Sequence, residues 1–234
     1  LSQFLSKDAT SSVATGVLVR DAAQAEYFVA RGFSVLKKKI TSPDIKTEKT
    51  AIAEILQVVP DGVRLRLDAN RTLTFDAALS LLADLDPGKI EFVEEPLLPE
   101  LQASLATLRR KISVPIALDE SLTDEAMLQR ALVEEWADVA VIKPMMCGGP
   151  LNAVRYAKLA SSHGVGCAFT SSLESVVGRL GALHVSAAVP NSLAAGLNTG
   201  VLFERDLAPE PELVSGQFII SSQPGIGISD MEGL

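Results

Sequence analysis

The feature that most constrains the fold of this sequence is a regular alternation of short apolar segments with amphipathic ones. Eight segments have the length and pattern of strands, and seven segments with helical periodicity lie between them. Strands that alternate with helices along a chain form parallel βα units. The predicted strands are 13–19, 34–40, 63–68, 89–94, 115–119, 138–143, 166–171 and 194–197, and the predicted helices are 21–31, 46–58, 74–85, 100–111, 123–135, 150–163 and 174–188.

The spacing of these segments favours one closed barrel. The chain has 234 residues, and a barrel of the TIM type needs upward of ~200. An open doubly wound sheet is the alternative, but "VLVRDAAQ" after the first predicted strand is not a Gly-rich phosphate loop. The predicted fold class is therefore α/β, a TIM-type barrel of (β/α)7β form over 13–197, with a remnant at 1–12 and a tail at 198–234.

Composition excludes several classes of protein. Hydrophobic residues make up 47% of the chain and charged residues 21%, which suits a sizeable core. The net charge of −8 argues against nucleic acid or an anionic membrane as a partner. No apolar run approaches the ~20 residues needed to span a bilayer, and "LSQFLSKDATSS" lacks the pattern of a signal peptide. Two cysteines do not suggest a disulfide framework, so we expect a cytoplasmic protein with a small-molecule ligand.

Acidic residues end three consecutive predicted strands, where a parallel barrel places its catalytic groups. Asp68, Glu94 and Asp119 end the third, fourth and fifth strands. Neighbouring strands lie about 4.8 Å apart, so the three carboxylates converge and repel one another unless a cation holds them. Hard oxygen ligands suit Mg²⁺, with Mn²⁺ as the alternative metal. The other interpretation is that each acid caps the following helix or pairs with a lysine.

Lysines flank these acids on both sides. Lys37 and Lys39 end the second predicted strand and Lys143 ends the sixth, on the opposite side of the barrel. Because alternate residues of a strand share a face, Lys37 and Lys39 are predicted to point into the barrel mouth. A desolvated lysine beside another cation has a lowered pKa and can act as a base. Lys38 would face the helix layer, and we expect its ammonium group to reach water.

Six segments, in this order, resemble the enolase superfamily: "LKKKI", "RLDANRTLT", "EFVEEPL", "IALDES", "VIKPMMCGG" and "TSSLES". The resemblance extends from about residue 13 to "PGIGI", and the last segment favours the o-succinylbenzoate synthases of menaquinone biosynthesis. It implies a hydro-lyase that dehydrates 2-succinyl-6-hydroxy-2,4-cyclohexadiene-1-carboxylate to o-succinylbenzoate. The reaction implied begins with removal of the proton α to a carboxylate and stabilisation of the resulting enediolate.

The resemblance also implies roles for individual residues. Asp68, Glu94 and Asp119 would bind the metal, with Glu95 behind Glu94. Lys39 would be the base, and Lys143 would stabilise the enolate as a cation on the opposite face. Lys37 would tune the base and contact the substrate carboxylate. The residues implied to bind or support the substrate are Lys37, Arg66, Asn70, Gly148, Gly149, Ser171 and Ser172.

Two other functions stay open at this point. Two bases on opposite faces would also permit an N-acylamino acid racemase or a dipeptide epimerase of the same superfamily. Dipeptide epimerases carry Asp-x-Asp at the end of strand eight, where this sequence has "GLNTG". A non-catalytic, degenerate barrel is the third alternative, although it would usually have lost a metal ligand or a lysine.

The ends of the chain lead to two further expectations. Only about a dozen residues precede the first predicted strand, so the N-terminal capping domain of the superfamily is expected to be absent from this chain. The resemblance implies that such a tail packs on that domain when the domain is present. We therefore expect Phe218, Ile219, Ile220 and Ile226 to lack a partner, with the tail disordered, displaced or covered by another subunit of a homo-oligomer.

Overall fold

The computed structural model describes residues 1–228 and contains an eight-stranded parallel barrel together with a small antiparallel sheet. The barrel strands follow one another in chain order, from the second strand to the ninth. In chain order the strands are β1 (Ser12–Ala14), β2 (Val17–Leu18), β3 (Val35–Lys39), β4 (Arg64–Asp68), β5 (Ile90–Glu94), β6 (Ile116–Leu118), β7 (Val139–Ile142), β8 (Gly166–Thr170), β9 (Leu193–Gly196), β10 (Leu213–Val214) and β11 (Gln217–Ile219). The predicted α/β barrel is confirmed.

Helices connect successive barrel strands and cover the outside of the barrel. Four of the described helices begin at a capping side chain: Asp21, Asp44, Thr74 and Asp124 accept backbone N–H groups of the first turn. The α-helices are α1 (Ser2–Leu5), α2 (Ala22–Val29), α3 (Ile45–Val58), α4 (Phe75–Leu82), α5 (Leu105–Arg109), α6 (Glu125–Val133), α7 (Pro150–Ser162) and α8 (Val176–Ala188), with 3₁₀ helices at Pro99–Ser104 and Gly200–Leu202. In the described residues, no helix has the length and apolar character needed to cross a membrane.

The barrel is closed by contacts between its first and last strands. Thr15 forms a parallel bridge with Ala195, and the N–H of Gly16 donates to the Ala195 carbonyl at 2.7 Å. Apolar side chains between the strands and the helices form the largest core cluster. A smaller cluster that includes Phe92 and Val141 fills the inside of the barrel. Apolar side chains therefore pack the inside of the barrel below its mouth.

The first predicted strand is wrong in its extent. The structure divides 13–19 into two short strands that belong to different sheets. Val17–Leu18 pairs with β3 in the barrel, whereas Ser12–Ala14 pairs antiparallel with β11. Thr15 and Gly16 lie at the change of direction, where both bond to the last barrel strand. Both pieces bury a valine, so apolar pattern alone does not separate them.

The expectation that the apolar residues of the tail lack a partner is also wrong in the described residues. The tail folds into a hairpin, β10 and β11, around Ser215 and Gly216, and β11 pairs with β1. Phe218 is only 3% exposed and packs in a cluster with Leu180 and Leu183 of α8. Residues of this same chain thus cover the tail, because β1 leaves the barrel to meet it. Residues 229–234 of the predicted tail lie outside the described residues.

Candidate active site

The carboxyl ends of neighbouring barrel strands bring the predicted charged residues to one level. In the strand register Lys39 lies opposite Asp68, and Asp68 lies opposite Glu94. Asp119 and Lys143 directly follow the ends of β6 and β7. A cavity of about 370 Å³ opens at this end of the barrel. Its charged lining residues are Lys37, Lys39, Arg66, Asp68, Glu94, Asp119, Glu120 and Lys143.

Lys37 bridges two of the acids. Its Nζ lies 2.9 Å from Asp68 Oδ2 and 2.7 Å from Glu94 Oε2. Burial lowers the pKa of Lys37, but the charges of Glu94 and Asp68 and their hydrogen bonds outweigh burial, so the pKa is raised. Lys37 is therefore held as an ammonium ion, which suits a residue that neutralises carboxylates rather than one that removes protons.

The acids carry more negative charge than their lysine partners offset. Burial, together with the charges of Asp68 and Asp119, raises the pKa of Glu94 to about 7 against the opposing effect of Lys37. Burial also raises the pKa of Asp119, although Lys143 Nζ lies 2.6 Å from its Oδ2 and acts in the opposite direction. Such a cluster binds an additional cation favourably, because a cation relieves both burial and repulsion.

The donor set of these acids fits a hard divalent cation. Asp68, Glu94 and Asp119 offer only carboxylate oxygens, the ligands that Mg²⁺ and Mn²⁺ prefer. As the side chains stand, no group of three or more His, Cys, Asp or Glu residues within 1–228 has the placement of a metal site. Lys37 lies between Asp68 and Glu94, and Lys143 holds Asp119. Pairing with lysines, the other interpretation of the sequence, is thus the arrangement in this structure.

Asn70 connects the predicted base to the acids. Lys39 has an exposed side chain, and its Nζ donates to Asn70 Oδ1 at 3.0 Å. Asn70 donates from Nδ2 to Glu120 Oε1 at 3.1 Å and from its backbone N–H to Asp68 Oδ1 at 3.0 Å. Its φ of 43° lies in the left-handed region, which Asn tolerates better than most residues. Sequence reasoning missed Glu120, whose signal was its place directly after Asp119.

Arg66 lies deeper in the barrel than the acids. It shares the inward face of β4 with Asp68 and is 3% exposed. Its Nε lies 2.5 Å from Glu91 Oε2, one Nη donates to the Ala194 carbonyl at 2.8 Å, and the guanidinium stacks on the Phe92 ring. Arg66 therefore forms part of the cavity floor, with hydrogen bonds made to the protein itself.

Glu95 is buried behind the metal-ligand candidates. Its Oε1 accepts the N–H groups of Asp119 and Ser121 at 2.8 and 2.6 Å, and its Oε2 accepts the Ser121 hydroxyl at 2.7 Å. Burial raises the pKa of Glu95, and the bonds from Ser121 oppose the rise. Through these contacts Glu95 fixes the backbone that carries Asp119.

The expectation that Lys38 reaches water is wrong. Lys38 is 5% exposed, and its Nζ lies 2.6 Å from Oε2 of Glu48. Glu48 belongs to α3 and is itself 2% exposed. The helix that follows β3 packs against its outer face and supplies a carboxylate at the place where Lys38 emerges. Sequence reasoning missed Glu48, because nothing in the local pattern distinguishes it from a solvent-facing helical glutamate.

The predicted serines line the mouth beside Lys143, and the predicted glycines lie in the loop that leads from Lys143 to α7. Gly148 and Gly149 have φ of 87° and 107°, which favours glycine at both positions in the loop before α7. The Ser171 hydroxyl lies 2.8 Å from Thr199 Oγ1, and the Ser172 N–H donates to Glu174. A second cavity of about 460 Å³ adjoins them. Its walls include Lys143, Met146, Cys147, Tyr156, Ser171 and Ser172.

Two hydroxyl groups at the end of β8, one on a residue of each cavity wall, are buried without a hydrogen-bond partner among the described residues. They are Thr170 Oγ1 and Ser172 Oγ. Unpartnered buried hydroxyls are costly, and they are satisfied when a polar group enters their neighbourhood. This end of β8 is therefore suited to receive a polar group of a ligand.

Comparison with known proteins gives matches over nearly the whole chain. The family model described as "Enolase C-terminal domain-like" matches residues 20–232. The L-Ala-D/L-Glu epimerase of Bacillus subtilis (strain 168) is 30% identical over 210 residues, which are 88% of this chain and 57% of that protein. The o-succinylbenzoate synthase of Mycobacterium leprae (strain TN) is 34% identical over 193 residues, which are 76% of this chain and 55% of that protein.

A solved structure agrees with these sequence matches. The substrate-liganded complex of the L-Ala-D/L-Glu epimerase from Bacillus subtilis superposes with a TM-score of 0.89 and 27% identity. The superposition covers 98% of this chain and 66% of that chain. This chain therefore spans little more than half the length of the two curated relatives and two thirds of the solved one.

Proposed function

Because this chain belongs to the enolase C-terminal domain-like family, within the enolase superfamily, we propose that it is the catalytic barrel of an enzyme that removes a proton α to a carboxylate. The reaction we propose is the dehydration of 2-succinyl-6-hydroxy-2,4-cyclohexadiene-1-carboxylate to o-succinylbenzoate. The relative from Mycobacterium leprae, named o-succinylbenzoate synthase, supports this choice.

The placement of two lysines carries the proposal. Lys39 and Lys143 end the second and sixth of the eight barrel strands, so they stand on opposite sides of the mouth. Both line the cavity that also holds the three acids. A carboxylate substrate between them would present one face to the neutral Lys39 amine, which can take the α-proton, and the other face to the Lys143 ammonium group.

The acids would hold the cofactor. Asp68, Glu94 and Asp119 would bind Mg²⁺, or Mn²⁺, in place of the lysine contacts that now balance them. When bound, the metal supplies positive charge beside the substrate carboxylate, where negative charge develops as the proton leaves. The excess negative charge of the cluster supports this assignment.

Three residues of the chain would act in the two steps of the reaction. Lys39 accepts the proton as the α C–H bond breaks, and the electron pair of that bond moves into the carboxylate group. Asn70 orients the Lys39 amine through its side-chain oxygen. Lys143 stays an ammonium ion and stabilises the charge from the opposite face. In the second step the electron pair returns from the carboxylate group to the ring as the C–OH bond breaks. The ring becomes aromatic, and the leaving hydroxide takes the proton held by Lys39 and departs as water.

The end of β9 favours this dehydration over epimerisation of a dipeptide. Asn198 and Thr199 line the cavity there, at the place where dipeptide epimerases of the superfamily carry two aspartates for the substrate ammonium. Neutral side chains offer an ammonium group no ion pair. The hydroxyls near the end of β8 instead offer hydrogen bonds to the second, succinyl carboxylate of the proposed substrate.

Racemisation of an N-acylamino acid is the second candidate. Its substrate has no free ammonium group, so the absence of aspartates from 198–200 does not disfavour it. Lysines on both faces would allow a proton to leave one face and return to the other. The same lysine pair that supports dehydration therefore supports this reaction.

The experiment uses the natural full-length protein with Mg²⁺. Dehydration is followed by absorbance, and deuterium exchange at the α-carbon of N-succinyl amino acids is followed by NMR. We expect dehydration to be the faster reaction and to be abolished in Lys39→Ala and Lys143→Ala, with Lys158→Ala on α7 as the matched lysine control. Near-normal turnover in either site variant would contradict the lysine mechanism, and exchange faster than dehydration would favour the racemase.

A further inference from the structure

A buried ion pair lies directly behind the proposed base. Lys38 and Glu48 are 5% and 2% exposed, and the Lys38 Nζ to Glu48 Oε2 distance is 2.6 Å. Lysine and glutamate are seldom buried so fully, and desolvation of such a pair often outweighs its attraction. Because such a pair contributes little net stability, its main structural effect comes from the other groups that it contacts.

The Lys38 ammonium also completes the end of β3. It donates to the backbone carbonyl of Lys39 at 3.0 Å. The neighbouring strand β2 donates no hydrogen bond to the Lys39 carbonyl. The last hydrogen bond from the β2 segment to β3 runs from the Val19 N–H to the Lys37 carbonyl. Beyond that point Lys38 takes the place of a strand partner on this side of the Lys39 peptide.

Glu48 fixes the backbone on the other side of Lys39. Its Oε1 accepts the N–H groups of Thr41 and Ser42 at 2.8 and 2.7 Å. Between Lys39 and Thr41, the Ile40 N–H donates to the Asp68 carbonyl at 2.8 Å. The backbone from Lys39 to Ser42 is thus held at four successive points, three of them through the Lys38–Glu48 pair.

We propose that Lys38 and Glu48 are positioning residues that set the place and direction of the Lys39 amine; this inference rests on the proposed function. The Lys39 side chain is exposed and has one side-chain hydrogen bond in the described structure, to Asn70. Its direction therefore depends on where the backbone places its Cα–Cβ bond. A misplacement of about 1 Å at a reacting group can cost on the order of 10²-fold in rate.

The test compares two double variants that leave no unpaired buried charge. Lys38→Met with Glu48→Leu removes the three backbone contacts made by the pair and leaves the Ile40 contact to Asp68. Lys38→Met with Glu48→Gln keeps an oxygen for the Thr41 and Ser42 amides. The matched control is Arg109→Met with Asp138→Asn, which removes another ion pair that holds strand backbone, here at the start of β6. The natural full-length protein is used, and kcat, KM and the hydrogen exchange of the Thr41 and Ser42 amides are measured well below each melting temperature.

The expected result is a loss of kcat of roughly 10- to 100-fold in the Met/Leu variant. KM should stay within about threefold, since no group that contacts substrate is removed. The Met/Gln variant should lose less kcat and keep slower amide exchange at Thr41 and Ser42, and the control should keep its turnover.

Three results would overturn the inference: a Met/Leu kcat within about twofold of wild type, a Met/Gln loss as large as the Met/Leu loss, or an equal loss in the control. These outcomes are separate from failure of the proposed function. A wild-type protein that neither dehydrates the proposed substrate nor exchanges an α-proton would overturn the function, and the inference with it.

Discussion

Removal of the Lys37 ammonium group tests the central electrostatic conclusion about the site. In Lys37→Met the carboxylates of Asp68 and Glu94 lose the cation that now lies 2.9 and 2.7 Å from them. Taking one partner from a buried ion pair costs about 3–5 kcal/mol. The Lys37 side chain is 27% exposed, whereas the two acidic side chains are 3% exposed, so solvent screening favours the lower end of that range, about 3 kcal/mol.

The assay is thermal unfolding in EDTA at pH 8. Because the pKa of Glu94 is about 7, its carboxyl group is charged at that pH in the wild-type protein. For a chain of this length, a loss of about 3 kcal/mol lowers Tm by roughly 6–12 °C. The control is Lys49→Met, whose pair with Asp84 is long, at 3.7 Å, and solvent-exposed. The control should change stability by less than about 1 kcal/mol.

Mg²⁺ should then reverse the loss. A ligand at 100 times its dissociation constant stabilises a protein by about 2.7 kcal/mol. In Lys37→Met no ammonium group competes between Asp68 and Glu94, so Mg²⁺ should raise Tm at least as far as it does in the wild-type protein. The reasoning is refuted if the variant is as stable as wild type in EDTA, or if Mg²⁺ raises Tm in neither protein.

Three further predictions concern the tail and the core. Phe218→Ala should destabilise the protein by about 3–5 kcal/mol in urea unfolding, because it empties the packing between the hairpin and α8, whereas Val214→Ala on the exposed strand should cost less than about 0.5 kcal/mol. Gly216→Ala should cost more than about 1 kcal/mol, because φ is 72° and the added Cβ would meet the Gly32 carbonyl at 2.8 Å; a variant as stable as wild type would contradict the hairpin packing. Burial lowers the pKa of His184, so the folded protein holds it neutral, and the stability this contributes is present above the unfolded pKa of about 6.5 and is lost as pH falls towards the folded pKa. The His184→Gln variant should therefore lose less stability between pH 7.5 and pH 5.5 than the wild-type protein does, and an unchanged slope would count against this reasoning.

The barrel and the level of its charged residues follow from patterns that are local in the chain. Alternation along β3 places Lys37 and Lys39 on the inner face without any knowledge of their neighbours. Parallel strands bring their carboxyl ends to one edge, so the sequence alone predicts that Asp68, Glu94 and Asp119 lie close to one another. These features depend on backbone geometry and periodicity, which are determined locally in each segment of the sequence.

The partners of those same side chains were decided by tertiary structure. The sequence alone indicated that Lys38 points outward, but its burial against Glu48 depends on how α3 packs over β3. The pairing of β1 with β11 joins Val13 to Phe218 across almost the whole chain, and no local pattern signals that contact. Sequence periodicity determines which face a side chain occupies, whereas packing of distant elements determines what it meets there. Periodicity is a property of consecutive residues, but burial and charge balance are set only when separate elements exclude water together.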